Sequence, residues 1–213
     1  MAIRAYDELY IESAQNVLGH AVDFAIMSLE IEPDTFGEAF AVSKISKQFS
    51  RGNPAYVSGR NGCELARAIL DEANIAYPDV DDAMYLDKSP EYWAGWVLAY
   101  YQWLSCHSFM DILTVMPISA IIKLYPLYHE MDISKTIDCL SEEMKKAYPY
   151  TRLKYLRNNS GMSQSELARY SGVSLRQIQL YEQRQRDINK AEALTIYKLS
   201  LALHCDMADL IEH

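Results

Sequence analysis

Between positions 164 and 190 the chain gathers side chains able to hold and read a nucleic acid. Arg176 can set two parallel donors on the O6 and N7 of guanine, and Gln177 or Gln179 can pair its amide with the N6 and N7 of adenine. Ser174 can bond either kind of base edge, while Leu175 can only cover a thymine methyl. Arg184, Arg186, Asn189 and Lys190 follow as a cluster of donors suited to phosphate oxygens. Gln164 is placed to open a helix, where unpaired backbone N–H groups and the helix dipole favour a phosphate. For Arg176 and the glutamines an ordinary solvated surface is the alternative reading.

Base edges are reached in the major groove, about 12 Å wide, which admits one α-helix. The surrounding sequence supplies such a helix. Ser163 can cap a first helix, and Glu166 three residues on completes a capping box. Leu167 and Ala168 then face inward. Ser171-Gly172 breaks that helix, Gly172 being able to take a positive φ, and Val173 fills the corner. Ser174 caps a second helix, with Gln177 placed to reach back. Ile178 and Tyr181, three apart, make one face apolar and leave Leu175, Arg176, Gln179 and Gln183 on the other. The spacing predicts a helix-turn-helix whose second helix enters the groove. A hairpin of helices used only for packing would share this layout. The coincidence of two capping boxes with a turn glycine favours the DNA-reading form.

From about Thr151 to Glu212 the chain resembles the Cro and phage-repressor type of DNA-binding domain. Arg157, Gln164, Ala168, Gly172, Val173, Ile178 and Glu182 carry the resemblance. It implies a compact five-helix domain, double-stranded DNA as partner, and Gln164 at the DNA backbone. It also implies a structural ion pair, Arg157 with Glu182, tying the domain's first helix to the end of the recognition helix. Leu175 and Leu180 stand where family members often carry polar residues, so the base code stays open. Downstream, Asn189 and Glu192 predict a cap and box for a helix through Leu201, and Asp206 caps a last short helix.

The whole chain of 213 residues carries a net charge of −9, the wrong sign for binding phosphate. That charge is unevenly divided. Residues 151–213 hold nine Lys and Arg against seven Asp and Glu, a net of +2, whereas residues 1–150 hold 11 against 22, a net of −11. The asymmetry predicts two domains with different partners, 1–147 and 151–213, with the acidic one held away from the duplex. Half the residues are hydrophobic, which excludes a disordered chain. Cys63, Cys106, Cys139 and Cys205 have no zinc spacing, so no metal site is expected and a reducing cytoplasm is the simplest compartment. The first residues show no basic region ahead of an apolar run, so no signal peptide is expected.

The acidic part reads as helical throughout. Apolar residues recur at helical spacing over 4–30, and a second helix is expected to about Phe49. Arg51 and Arg60 lie among glycines in turn-rich loops, where a phosphate or carboxylate cradle is one reading and a solvated loop the other. A helix follows over 61–74, then an acidic connector over 75–88 that lacks the glycine and distal glutamate of a calcium loop. Ser89-Pro90-Glu91 is a strong helix start. The uncharged stretch Trp93 to Met110 approaches the ~18 residues of a membrane span. Polar Gln102, Ser105, His107 and Ser108 interrupt it, and its Trp and Tyr lie mid-span, so it reads as a buried helix. Short helices are expected at about 108–115 and 118–125, then an amphipathic one over 132–147. Tyr148-Pro149-Tyr150 marks the junction.

These residues predict an all-α protein, a helical N-terminal bundle followed by a repressor-like helix-turn-helix domain, with neither catalytic group nor cofactor. The expected role is a sequence-specific transcription regulator, a repressor or an antitoxin, acting as a homodimer because one module of net +2 holds a site weakly. The segment Ser89 to Trp96 is similar to one found in regulators, some of them suspected antitoxins, so a toxin is a candidate partner for residues 1–147. The rival is a small-molecule sensor or enzyme built on that bundle.

Overall fold

In the computed structural model, residues 4–83 and 88–212 are described. They divide into two units, 1–147 and 148–213. Among the described residues all regular structure is helical and no strand occurs, so the protein is all-α. No helix among them is long and apolar enough to cross a membrane.

The first unit is built on α1 (Ile11–Met27). The apolar recurrence begins earlier, but the Asp7 carboxylate accepts the Leu9 N–H and starts a 3-10 turn, Glu8–Tyr10, before the α-helix. The helix expected to run to Phe49 is two, α2 (Pro33–Val42) and α3 (Lys44–Phe49). Ser43 divides them: its hydroxyl donates to the Phe40 carbonyl at 2.8 Å and accepts the Ser46 N–H at 2.9 Å. One side chain thus closes a helix and caps the next. The following loop hides one helical turn, α4 (Pro54–Val57), capped by Asn53. Arg60 there lies 5.1 Å from the centre of the Tyr56 ring, a cation–π contact within its own loop.

A full capping box of Asn61 and Glu64 opens α5 (Gly62–Glu72). Of the acidic connector that follows, residues 84–87 lie outside the described residues. Its earlier part is tied to α5, because Arg67 pairs with Asp82 and donates to the Val80 carbonyl. Next comes α6 (Pro90–Ser105), ended by Cys106 at φ 56°. It is followed by α7 (Phe109–Val115), α8 (Ile118–Ile122), α9 (Tyr125–Tyr128) and α10 (Ile133–Ala147).

The core centres on α1 against α5 and α6. Glycines let α1 and α6 touch: a Cβ on Gly95 would stand 2.5 Å from the Leu18 carbonyl oxygen. Asp23 on α1 is 3% exposed and accepts the hydroxyl of Ser89, which caps α6 through the Tyr92 N–H. Burial pushes the Asp23 carboxyl above its usual range. The aromatic stripe of α6 is half-buried, with Trp93, Trp96 and Tyr100 packed against the core.

The second unit holds α11 (Arg152–Asn159), α12 (Gln164–Ser171), α13 (Leu175–Glu182) and α14 (Ala193–Leu203). A 3-10 turn, Ile188–Lys190, precedes α14, and the expected last helix is another, Met207–Leu210, with a capping box of Asp206 and Asp209. Leu153, Leu167, Ile178, Leu199 and Leu210 are fully buried at its centre. Asn189 does not cap α14, contrary to the spacing. Glu192 holds that position with no side-chain bond, because the Asn189 amide is committed elsewhere.

Candidate nucleic-acid interface

The motif is assembled by local hydrogen bonds. Ser163 accepts the Glu166 N–H at 3.2 Å, and Glu166 accepts the Ser163 N–H at 2.8 Å. These bonds hold the Glu166 carboxyl below its usual range. Gly172 ends α12 at φ 67°, and no heavy atom lies within 4 Å of a Cβ built there. Backbone conformation, not crowding, therefore selects glycine at the turn. Val173 is buried beneath it. Ser174 caps α13 through the Gln177 N–H at 3.3 Å. The Gln177 side chain reaches back to the Ser174 hydroxyl at 3.1 Å rather than to its backbone N–H, so this second box is incomplete.

Ile178, Tyr181 and Glu182 point inward from α13. Arg176 is exposed on the outer side, as are Ser174 and Leu175, while Gln177 and Gln179 are half-buried. Among the described residues no carboxylate pairs with Arg176 or Arg186. Two strong donors are thereby left available for an anion or a base edge.

The recognition helix is anchored from beneath. Arg157 on α11 makes a two-armed contact with Glu182, Nε to Oε1 at 2.6 Å and Nη2 to Oε2 at 2.9 Å. Its Nη1 donates to the Met162 carbonyl at 2.7 Å. Gln164 Nε2 donates to the same Glu182 carboxylate at 2.8 Å. Burial pushes the Glu182 carboxyl up, but the bonds from Arg157 and Gln164 and the guanidinium charge outweigh it and hold the carboxyl below its ordinary range. Gln164 thus sits at the start of α12 with one amide hydrogen used internally.

The cluster after α13 is arranged by backbone bonds. Arg184 takes φ 54°, and the N–H groups of Gln185 and Arg186 both return to the Leu180 carbonyl, at 2.9 and 3.1 Å. Arg184 lies 3.6 Å from Glu212, and Lys190 lies 3.5 Å from Asp187. Arg184, Lys190 and Asp187 are exposed, whereas the Glu212 side chain is 26% exposed. Asn189 differs: its amide nitrogen donates to the Glu212 carbonyl and its oxygen accepts the Glu212 N–H at 2.9 Å. Expected as a phosphate donor, Asn189 spends one amide hydrogen and its oxygen on tethering Glu212. Glu212 itself escaped the sequence reading. Its carboxylate also accepts the Arg152 N–H at 2.6 Å, across a separation of 60 residues that no local signal reveals.

The helix-turn-helix family model matches residues 153–210. This segment is a helix-turn-helix domain of the Cro and repressor type. The domain comprises every element from α11 to the final 3-10 turn, and residues 1–152 lie outside the match. No curated protein and no solved structure matches the chain. The family that this segment matches is one of DNA-binding regulators.

Proposed function

We propose that the protein is a sequence-specific, cytoplasmic transcription repressor that binds a pseudo-palindromic duplex as a homodimer, with α13 in the major groove. The observation that carries this reading is Arg176, exposed without an ion-pair partner on the outer side of a helix whose inner side is pinned by Arg157 and Glu182. Ser174, Leu175, Gln177 and Gln179 flank Arg176 at the groove. Gln164, Arg184, Arg186 and Lys190 hold phosphates on either side of it. On this reading Arg176→Ala weakens binding to the preferred duplex by ~1–3 kcal/mol and leaves binding to unrelated duplexes unchanged. Arg186→Ala weakens both equally and lowers the slope of log affinity against log salt by about one contact. Equal loss on all sequences for Arg176→Ala removes it from base reading.

Residues 1–147 serve in this reading as a protein-binding module, which fits an antitoxin that neutralises a basic partner. Support comes from an open groove of about 360 Å³ lined by Leu127, Tyr128 and Met131 together with Lys135, Asp138, Glu142 and Glu143. Glu142 and Glu143 there are paired with Lys145 and Lys146 in exposed bridges that a basic partner can exchange.

A further inference from the structure

The first unit is acidic, but its charge is unevenly spread. Residues 39–63 contain Lys44, Lys47, Arg51 and Arg60 and no Asp or Glu. The rest of residues 1–147 holds seven Lys and Arg against 22 Asp and Glu, a net of −15. Lys44 and Lys47 on α3, and Arg51 in the turn that ends it, stand three and four positions apart on one side, and all three are exposed. That turn is fixed. Gly52 takes φ 68° with the Tyr6 side chain packed over it, Asn53 donates to Gln48 Oε1 at 3.0 Å, and the Asn53 oxygen caps α4. Arg60 is held beyond α4 by its contact with Tyr56, and α3 packs on α4. Among the described residues none of these four side chains pairs with a carboxylate. The Glu72 carboxylate accepts the Lys44 N–H at 2.8 Å and offsets that end, which leaves Lys47 and Arg51 at the middle of the positive surface.

We propose that Lys47 and Arg51, with Lys44 and Arg60 beside them, form a second DNA contact, on phosphates flanking the sequence that α13 reads. The inference rests on the DNA reading in the proposed function and lengthens its footprint. Three observations select this occupant. A cluster of Lys and Arg free of carboxylates matches phosphate, and the second unit belongs to a family of DNA-binding regulators. A small anion finds no seat at the nearby helix starts. Their N–H groups already bond Asn53 and Asn61, and the Glu64 carboxylate, which accepts the Asn61 N–H at 3.1 Å, repels an anion there. A protein interface is centred on large apolar anchors, whereas from 44 to 61 no large apolar side chain is exposed. The acidic remainder does not forbid the contact, because charges farther than about 8 Å are screened at physiological salt. Such a contact carries no sequence information. It adds affinity and orients the first unit on the duplex.

The test uses the full chain and two duplexes that carry the sequence it selects from a random pool. One is trimmed to that sequence, and the other has unrelated sequence added on either side. Lys47→Gln with Arg51→Gln lowers affinity for the long duplex about tenfold at low salt and reduces the slope of log affinity against log salt by about 1.8, as two lost contacts require. Affinity for the trimmed duplex and the midpoint of tryptophan fluorescence stay unchanged, since both side chains are exposed. Lys47→Arg with Arg51→Lys keeps the native slope. Lys123→Gln, which removes an exposed charge elsewhere in the same unit, alters binding to neither duplex. An unaltered affinity and slope on the long duplex overturns the inference and leaves base reading by α13 standing. So does capture of an acidic protein by the native chain and not by the double variant, with both duplexes bound alike. Equal loss on both duplexes, or the same loss per charge with Lys123→Gln, also overturns it, because the effect then belongs to the field of the whole unit. A native chain that retains no duplex at all removes the DNA reading and this inference with it.

Discussion

Arg157→Ala is expected to destabilise the second unit by about 3 kcal/mol, because it leaves the Glu182 carboxylate buried without its counter-charge. The side chains are 10% and 2% exposed, so water cannot replace the guanidinium. Gln164 alone still donates to that carboxylate. The pH dependence carries a signature. In the native protein the Glu182 carboxyl is held below its ordinary range, so its stabilisation is present above the unfolded carboxyl value and is lost as pH falls through the lowered one. In the variant the burial cost remains and the guanidinium does not, which drives the carboxyl upward. The deficit is then largest near neutrality and shrinks as acid protonates Glu182. All three tryptophans, Trp93, Trp96 and Trp103, lie in the first unit, so amide hydrogen exchange over 153–182 is the proper probe. A loss below about 1 kcal/mol, insensitive to pH, would place the pair with exposed salt bridges.

Gly95→Ala is expected to cost the first unit about 3 kcal/mol or more, at the upper end of overpacking effects. The added methyl meets backbone, 2.5 Å from the Leu18 carbonyl oxygen and 2.9 Å from the Gly19 Cα, so no rotamer change relieves it. The two helices must separate along the largest contact of the core. Tryptophan fluorescence reads the loss directly, since all three indoles lie on α6. Exchange protection in α11 to α13 stays unchanged if the units fold independently. An unaltered fluorescence midpoint contradicts the close packing of α1 on α6.

What the sequence revealed was mostly what local chemistry decides. Ser163 with Glu166 is a capping box whose partners lie three residues apart, so spacing alone discloses it. Ser43 was missed because the apolar positions continue through it to Phe49 and its hydroxyl bonds both ways. Asn189 has the right spacing for a cap, but its partner lies 23 residues on, and a distant bond outcompeted the local one. The contact of Arg157 with Glu182 spans 25 residues, and only the resemblance to a known domain pointed to it. Nothing in the sequence pattern singles out Gly19 or Gly95. Their purpose is the crossing of two backbones, which no one-dimensional pattern records.

The central claim is that α13 reads base edges, and selection of duplexes from a fully random pool tests it most directly. The full-length protein is equilibrated with the pool at near-physiological salt, and the retained duplexes are sequenced. The account predicts enrichment of a pseudo-palindrome with half-sites about one helical turn apart or a multiple of it. Within each half-site one position is strongly fixed, and Arg176→Ala relaxes that position alone. Retention that depends on salt but enriches no sequence, or an Arg176→Ala profile unchanged from the native one, would contradict it.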